Sequence, residues 1–354
     1  MIKKVNTTEN QFTIPSMWYY DKNFLDQEKK EIFLKEWQLI GSHSQVKNTG
    51  DVLVAEIANN PIIVSRQEDN TLKGFYNVCQ HRGGPLVYEN CSLSKLQCKY
   101  HGWVYDLNGN LKSARGFKNS ELNIDDYNLT PVNVTEWMGQ IFVNLSNDPA
   151  DLCNQIDEIK TLISPIDFSN YTFKFRESYK INCNWKVYMD NFLEGFHIPF
   201  VHKGLNEILD YQNYKTEVYE YCNLQIGYGD DDSNIFDLPK DHIDYGKNIA
   251  AYYYWIFPNM MFNFYPWGLS INIVKPISND LTKVSFRSYV FDKSKLNQGA
   301  GSDLQKVEEE DEFVVQNVHI GLKSSFYKAG RFSPTKEQGV HHFHNLLSVF
   351  MNSN

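Results

Sequence analysis

Cys79-Gln80-His81-Arg82-Gly83 and Cys98-Lys99-Tyr100-His101-Gly102-Trp103 are the two stretches that decide how this chain is read. Each offers one thiolate and one imidazole, and sixteen residues separate His81 from Cys98. Each follows a strand-like run and ends in a turn: Phe75 to Val78 leads into Cys79, and Gly102 follows His101. Two such hairpin tips can close over one metal centre from opposite sides. Structural zinc modules pair like ligands, a Cys couple with a His couple, so mixed couples at both tips fit zinc poorly. A [2Fe-2S] cluster with two Cys on one iron and two His on the other demands this mixed set, and its imidazoles raise the potential above that of an all-thiolate cluster. Cys91, Cys153, Cys183 and Cys222 have no ligand partner at useful spacing and read as buried or incidental.

Outward from these tips, residues Trp37 to about Leu145 read as short strands. Asp51 to Glu56 and Pro61 to Ser65 are β-branched runs separated by Asn59-Asn60, a turn signal. Leu72 to Val78, Leu96 to Tyr100, Trp103 to Leu107 and Gln140 to Asn144 continue the pattern, with an Asn108-Gly109 hairpin turn. The text changes near Asp148-Pro149. Beyond it, helical stretches (Asp151 to Ile163, Trp185 to Phe196, Asp303 to Leu322) flank strand-like runs such as Tyr171 to Ile181 and Leu269 to Pro276. The expectation is an α+β protein: an N-terminal arm over 1–36 packing on the larger domain, a small all-β domain over 37–150, and a domain over 151–354 with helices on an antiparallel sheet.

Composition narrows the function. A length of 354 residues suits two domains. A formal charge of -9, with no Lys/Arg cluster longer than a pair, argues against nucleic acid and against an anionic membrane surface. No stretch approaches the ~18 apolar residues of a membrane span, and Met1 to Thr8 lacks the apolar run of a signal peptide. Six cysteines are too few for a disulfide scaffold, which leaves a cytoplasmic enzyme as the expectation. Aromatics at 15% supply enough flat side chains to line a cavity.

A second constellation lies in Asn184 to His202. Asn191, Glu194 and His197 follow at intervals of three on what reads as a helix, so Glu194 and His197 share a face. His202 would point about 140° away on a straight helix, but Pro199 breaks it and lets His202 fold back. Two unrelated histidines near a helix end would look the same. A third ligand is sought in the run Glu308 to Glu312. Leu304, Val307, Val314, Val318 and Leu322 form an apolar stripe with Asp311 at its centre, whereas Glu309 points away and Glu310 and Glu312 lie at the margins. A core-facing carboxylate is costly unless it is paired or bound to metal. Two His and one carboxylate on one face of an iron leave positions open for O2. His341, His342 and His344 diverge on a terminal helix and read as structural.

Cys-x-His-Arg-Gly at 79–83 and Cys-x-x-His-Gly-Trp at 98–103 resemble the Rieske motif of the ring-hydroxylating oxygenase family, with Lys99 where Pro is usual. Asn191-x-x-Glu194-x-x-His197-x4-His202 and Glu310-Asp311 resemble its mononuclear iron segments. The resemblance implies a Rieske [2Fe-2S] cluster on Cys79, His81, Cys98 and His101, and a mononuclear Fe(II) on His197, His202 and Asp311, in a helix-grip catalytic domain. It implies that Glu194 bridges a Rieske histidine to an iron-ligand histidine across a subunit boundary, and that Asn191 places an amide near the iron. It further implies O2 as co-substrate, a small-molecule substrate, a homotrimer and, with no third glycine after Gly227-Tyr228-Gly229 or Gly299-Ala300-Gly301, a separate NAD(P)H-dependent reductase. Glu at 194 is similar to the branch that oxidises choline, glycine betaine and carnitine, and the aromatics of Tyr252 to Phe257 and Phe262 to Trp267 could cage an ammonium. An aromatic-ring mono- or dioxygenase and a non-catalytic Rieske electron carrier stay open as alternatives.

Overall fold

The structure is a computed structural model that describes residues 11–118, 122–164, 172–229 and 235–352. Met1 to Thr8 and Tyr171, on which two expectations rest, lie outside the described residues. The chain divides into two compact units, with the divisions after Glu28 and after Leu152. The first departs from the expected arm of 1–36, because 29–36 goes with the strand-rich unit. There Lys35 O accepts a hydrogen bond of 2.7 Å from the Asn144 side chain, which ends the strand Gln140–Asn144.

The strand-rich unit is built on an antiparallel sheet in the order Gln38–Ser42, Gln140–Asn144, Pro131–Trp137, Leu72–Tyr76, Asn60–Arg66, Asp51–Ile57 and Cys91–Ser92. Its central hairpin turns at Ala58-Asn59, with φ of 46° and 68°, as a two-residue turn between twisted strands requires. The turn sits one residue earlier than Asn59-Asn60, and Asn60 opens the next strand. A smaller sheet joins Leu96–Gln97, Val104–Tyr105 and Leu111–Ser113. Its first two strands are shorter than the sequence suggests, because residues 98–103 are given over to the loop between them. Val52, Ile63, Phe75, Leu96, Trp103 and Tyr105 form one core together with Cys79 and Cys98.

The other unit holds a seven-stranded antiparallel sheet: Thr172–Ile181, Leu281–Val290, Gly268–Ser278, Met260–Tyr265, Ile249–Ile256, Cys222–Tyr228 and Lys215–Val218. Side chains alternate between its faces. Tyr254 points to the helix Cys153–Ile163, where its hydroxyl donates to Gln155 O at 2.7 Å. Trp255, next in sequence, packs edge-on against Phe343 of the helix Gln338–Asn352. Most aromatics considered for a cage are therefore sheet core, with Tyr252, Tyr254, Trp255, Phe262 and Phe264 fully buried. Tyr253 shares the face of Trp255, the face that also carries the site helices. No helix among the described residues is long and apolar enough to cross a membrane.

Candidate metal centres

The two Cys-His loops of the strand-rich unit have one backbone plan. Gly83 N donates to Cys79 O at 2.9 Å and Gly102 N to Cys98 O at 3.0 Å. Cys79 N donates to Gly84 O and Cys98 N to Trp103 O, both at 2.9 Å. Both closing glycines are left-handed, with φ of 73° and 76°, so the fourth position after each cysteine favours glycine. This shared Cys-plus-four glycine is a signal that the ligand-counting argument passed over. Between the loops, the His81 and His101 rings lie 4.6 Å apart, and His81 stacks on Trp103 at 4.9 Å. His81 Nδ1 is buried with no hydrogen-bond partner among the described residues, and the buried Cys79 and Cys98 are both unbridged. Burial pushes the Cys79 thiol pKa up, so without a metal Cys79 is a neutral thiol. An orphaned imidazole nitrogen and two unbridged buried thiols on these paired loops fit a mixed thiolate-imidazole cluster. Lys99, where the family has proline, lays its ammonium over the Tyr88 ring at 4.7 Å.

The second centre begins on the helix Trp185–Phe192, capped by the Asn184 side chain, which accepts from Lys186 N at 3.0 Å. The sequence reading carried this helix to a break at Pro199, and the structure corrects it. The helix stops at Phe192, whose carbonyl accepts from Gln225 Nε2 at 2.7 Å. Gly339 packs so closely there that a Cβ would come within 2.2 Å of Leu193 O. Residues 194–197 form a turn, and Pro199 lies near the start of the short helix Ile198–Val201, where its missing N–H costs little. Glu194 and His197 meet through that turn rather than on a helix face. Glu194 Oε2 accepts from the backbone N–H of Phe196 and of His197, and Oε1 lies 2.6 Å from His197 Nδ1.

His202 is buried where Ile198–Val201 gives way to Lys203–Asn206. Its Nδ1 lies 2.8 Å from Glu310 Oε2. With both Nδ1 atoms donating to carboxylates, both Nε2 atoms present lone pairs, 3.2 Å from each other. Asp311 Oδ1 closes the triangle at 3.0 Å from His202 and 3.6 Å from His197. Three acceptor atoms so close repel one another unless a cation lies among them, and edges near 3 Å suit ligands about 2.1 Å from a first-row metal. Among the described residues, His197, His202 and Asp311 are the one such group of ligand-type side chains. Without a metal, a proton on His202 can take the cation's place between Nε2 and Asp311: burial lowers the His202 pKa, but its hydrogen bonds to Asp311 and Glu310 and their charge more than offset this, and the net shift is upward.

The helix Leu304–Leu322 presents Asp311 inward, though not through the expected stripe. Val318 is 46% exposed, while Val315, His319 and Leu322 are buried. The inner face runs through Glu308, Asp311, Val315, His319 and Leu322, because tertiary packing selects polar residues here over an equally plausible apolar stripe. Glu308, given no role of its own by the sequence, is a desolvated carboxylate with a pKa pushed up to about 8, chiefly by burial and then by Asp311. It accepts a 2.5 Å hydrogen bond from the Tyr188 hydroxyl. Asn191 lies on the last turn of its helix, and no hydrogen bond ties it to the triad among the described residues. Its neighbour Asp190 is bound instead, by the Tyr19 hydroxyl at 2.6 Å and by His344 Nε2 at 2.9 Å. His341 and His342 are buried away from the triad, and burial lowers the His342 pKa to about 4.

Comparison with known families shows the two domain types in which a Rieske cluster and a mononuclear iron occur. The Rieske [2Fe-2S] domain model matches residues 36–128, and the ring hydroxylating alpha subunit (catalytic domain) model matches 168–353. The chain belongs to the Rieske-type ring-hydroxylating oxygenase family. It is 31% identical to the chloroplastic choline monooxygenase of Beta vulgaris, over 96% of this chain and 77% of that one. It is 28% identical to the carnitine monooxygenase oxygenase subunit of Escherichia coli K12, over 96% and 94%. In fold it resembles the quaternary ammonium Rieske monooxygenase CntA (TM-score 0.82, 22% identity, covering 99% and 100%). It also resembles naphthalene 1,2-dioxygenase from Rhodococcus sp. (TM-score 0.77, 19% identity, covering 96% and 94%). As a member of this family the chain is an oxygenase with one Rieske [2Fe-2S] cluster and one mononuclear iron, acting on a small molecule.

Proposed function

We propose that this chain is the oxygenase component of a system that hydroxylates or N-demethylates a small quaternary ammonium compound. Cys79, His81, Cys98 and His101 would hold the cluster, and His197, His202 and Asp311 the iron. The observation that carries the reading is the convergence of two Nε2 lone pairs and Asp311 Oδ1 on one point, with both Nδ1 atoms already committed to carboxylates. When bound, the cluster supplies electrons one at a time and the iron supplies O2 activation for insertion into a C–H bond. The chain's own residues do the rest. Glu194 and Glu310 fix the tautomer and angle of each imidazole, as carboxylates behind metal-bound histidines do. The buried wall of the sheet keeps water from the reacting carbon. Insertion of one oxygen atom into an N-methyl group, with two electrons and two protons taken up and water released, gives an N-hydroxymethyl product. That product sheds formaldehyde and a proton to leave the demethylated amine.

The electrons come, in this proposal, from a separate NAD(P)H-dependent reductase. Neither Gly-x-Gly segment is a phosphate-binding loop: Gly227 lies within the strand Cys222–Tyr228, and Gly301 packs against Trp267. His81 and His101 border an open recess of about 1140 Å³ whose rim includes Lys95, Lys99 and Arg115, a basic mouth suited to an acidic donor. A closed homotrimer would bring each Rieske loop to a neighbouring subunit's triad, with Glu194 in the connecting position. In that role Glu194→Gln keeps both metals and the oligomer but slows oxidation of a pre-reduced cluster by about 10- to 100-fold, whereas Glu194→Asp recovers part of the rate. A wild-type rate in Glu194→Gln would show that the carboxylate only positions His197.

The substrate class is tested by coupling the chain to a generic NADH-dependent reductase and following O2 uptake with choline, glycine betaine, carnitine, benzoate and naphthalene. Substrate-dependent uptake with a quaternary ammonium compound, and none with the arenes, is the expected outcome. Product formation from an arene alone would replace this reading with ring hydroxylation.

A further inference from the structure

The oxygen chemistry makes no use of Glu308, although it stands one turn from Asp311 on the same helix face. One turn further back, Leu304 packs into a cluster with Tyr265 and Trp267, bordered by Tyr214 and Tyr253. Tyr265 stacks on Trp267 at 5.2 Å and meets Tyr253 edge-on at 5.9 Å. Leu304, Glu308 and Asp311 thus form a line from the aromatic cluster to the triad, with the carboxylate between them. Glu308 Oε2 is engaged by the Tyr188 hydroxyl, and Oε1 has no hydrogen-bond partner among the described residues. Glu308, Tyr214 and Tyr253 all keep some accessible surface, yet loss of hydration is the largest influence on each. Tyr265 also feels the charge of Glu308, which places the carboxylate beside the aromatic cluster.

We propose that Glu308 is a specificity-determining contact for a cationic substrate, its free Oε1 turned to the positive nitrogen while Tyr214, Tyr253 and Tyr265 wall the methyl groups. This rests on the quaternary-ammonium reading above. A quaternary ammonium has no N–H to donate, so only charge and aromatic faces can recognise it; the aromatic faces are present, and a cation beside Glu308 would draw its raised pKa back down and hold it as the charged carboxylate. The separation of one helical turn between Glu308 and Asp311 lets the nitrogen lie against the carboxylate while an attached carbon reaches the triad.

The test uses the metal-loaded full chain and measures equilibrium binding by calorimetry for two pairs of probes. Choline is compared with its neutral carbon isostere 3,3-dimethylbutan-1-ol, and glycine betaine with 3,3-dimethylbutanoate. The wild type is expected to favour at least one cation over its isostere. Glu308→Gln should weaken that cation by about 30-fold or more and leave the isostere nearly unchanged, because a buried charge partner is lost while the shape is kept. Glu308→Asp should retain the preference, and iron content and the Rieske spectrum should stay at wild-type levels in both variants. Equal weakening of cation and isostere, or an undiminished preference in Glu308→Gln, would overturn the role of Glu308 alone. A wild type that prefers neither cation would overturn the substrate reading, and this assignment with it.

Discussion

Asp311→Ala is expected to lose the mononuclear iron and at least about 10³-fold in turnover, because losing a metal that supplies several kcal/mol of barrier lowering costs three or more decades. The physical reason lies in the triangle of donors. Removing Asp311 leaves two neutral imidazoles to hold a divalent ion, and Glu308 and Glu310 cannot replace the lost oxygen. Glu310 is committed to His202 Nδ1 on the far side of the ring, and Glu308 stands a full helical turn back from Asp311 with one oxygen held by the Tyr188 hydroxyl. The Rieske loops lie in the other compact unit, so their visible absorption and reduced-state electron paramagnetic resonance signal should be unchanged. Metal analysis should accordingly fall from about three iron atoms per chain to about two. Full activity and full iron in Asp311→Ala would place the carboxylate ligand elsewhere.

Glu28→Ala is expected to produce the largest loss of stability, about 3–5 kcal/mol, the usual cost of stranding a buried charge. Lys186 Nζ lies 2.6 Å from Glu28 Oε1 and both side chains are 0% exposed. The second oxygen of Glu28 accepts from Trp185 Nε1 at 2.7 Å. Burial pushes the Glu28 pKa up and that of Lys186 down, and the mutual attraction of the pair opposes both shifts. The pair ties the N-terminal segment to the helix whose end carries Glu194 and His197, so the loss should reach the iron site as well as the melting curve. Replacing both partners, with Glu28→Leu and Lys186→Met, should recover most of the stability, because no charge is then left unpaired. The midpoint of denaturant unfolding for the unit that holds both residues distinguishes the cases. A Glu28→Ala midpoint equal to the wild type would mean that Lys186 is neutral or finds another partner.

The Cys-His loops were readable because their chemistry is local. Each is a turn of six residues closed by its own backbone, so ligand spacing in sequence is ligand spacing in space. The α+β architecture was readable too, from β-branched runs and helical periods. Where the reading failed, distant packing made the decision. Pro199 looked like a helix breaker, but the helix had already ended at Phe192, against Gly339 from the far end of the chain. Asp311 was chosen from an apolar stripe through Val318, yet Val318 is exposed and the true inner face is lined by Glu308, Asp311 and His319. Asp311 lies 3.0 Å from His202 and 3.6 Å from His197, although the apolar stripe that points to it is not the inner face. Asp190, bound by Tyr19 and His344 across 171 and 154 residues, left no local trace at all.

In the proposed oxygenase, one chain carries an electron-supplying cluster and an oxygen-activating iron that work together. The most direct test is a single turnover of the fully iron-loaded protein with its cluster reduced beforehand and no external reductant. Adding O2 together with the quaternary ammonium compound that supports uptake should oxidise the cluster in step with product formation. Neither should occur without the substrate or in Asp311→Ala. Cluster oxidation at the same rate without substrate or without the mononuclear iron, and with no product, would contradict the claim and describe an electron carrier instead.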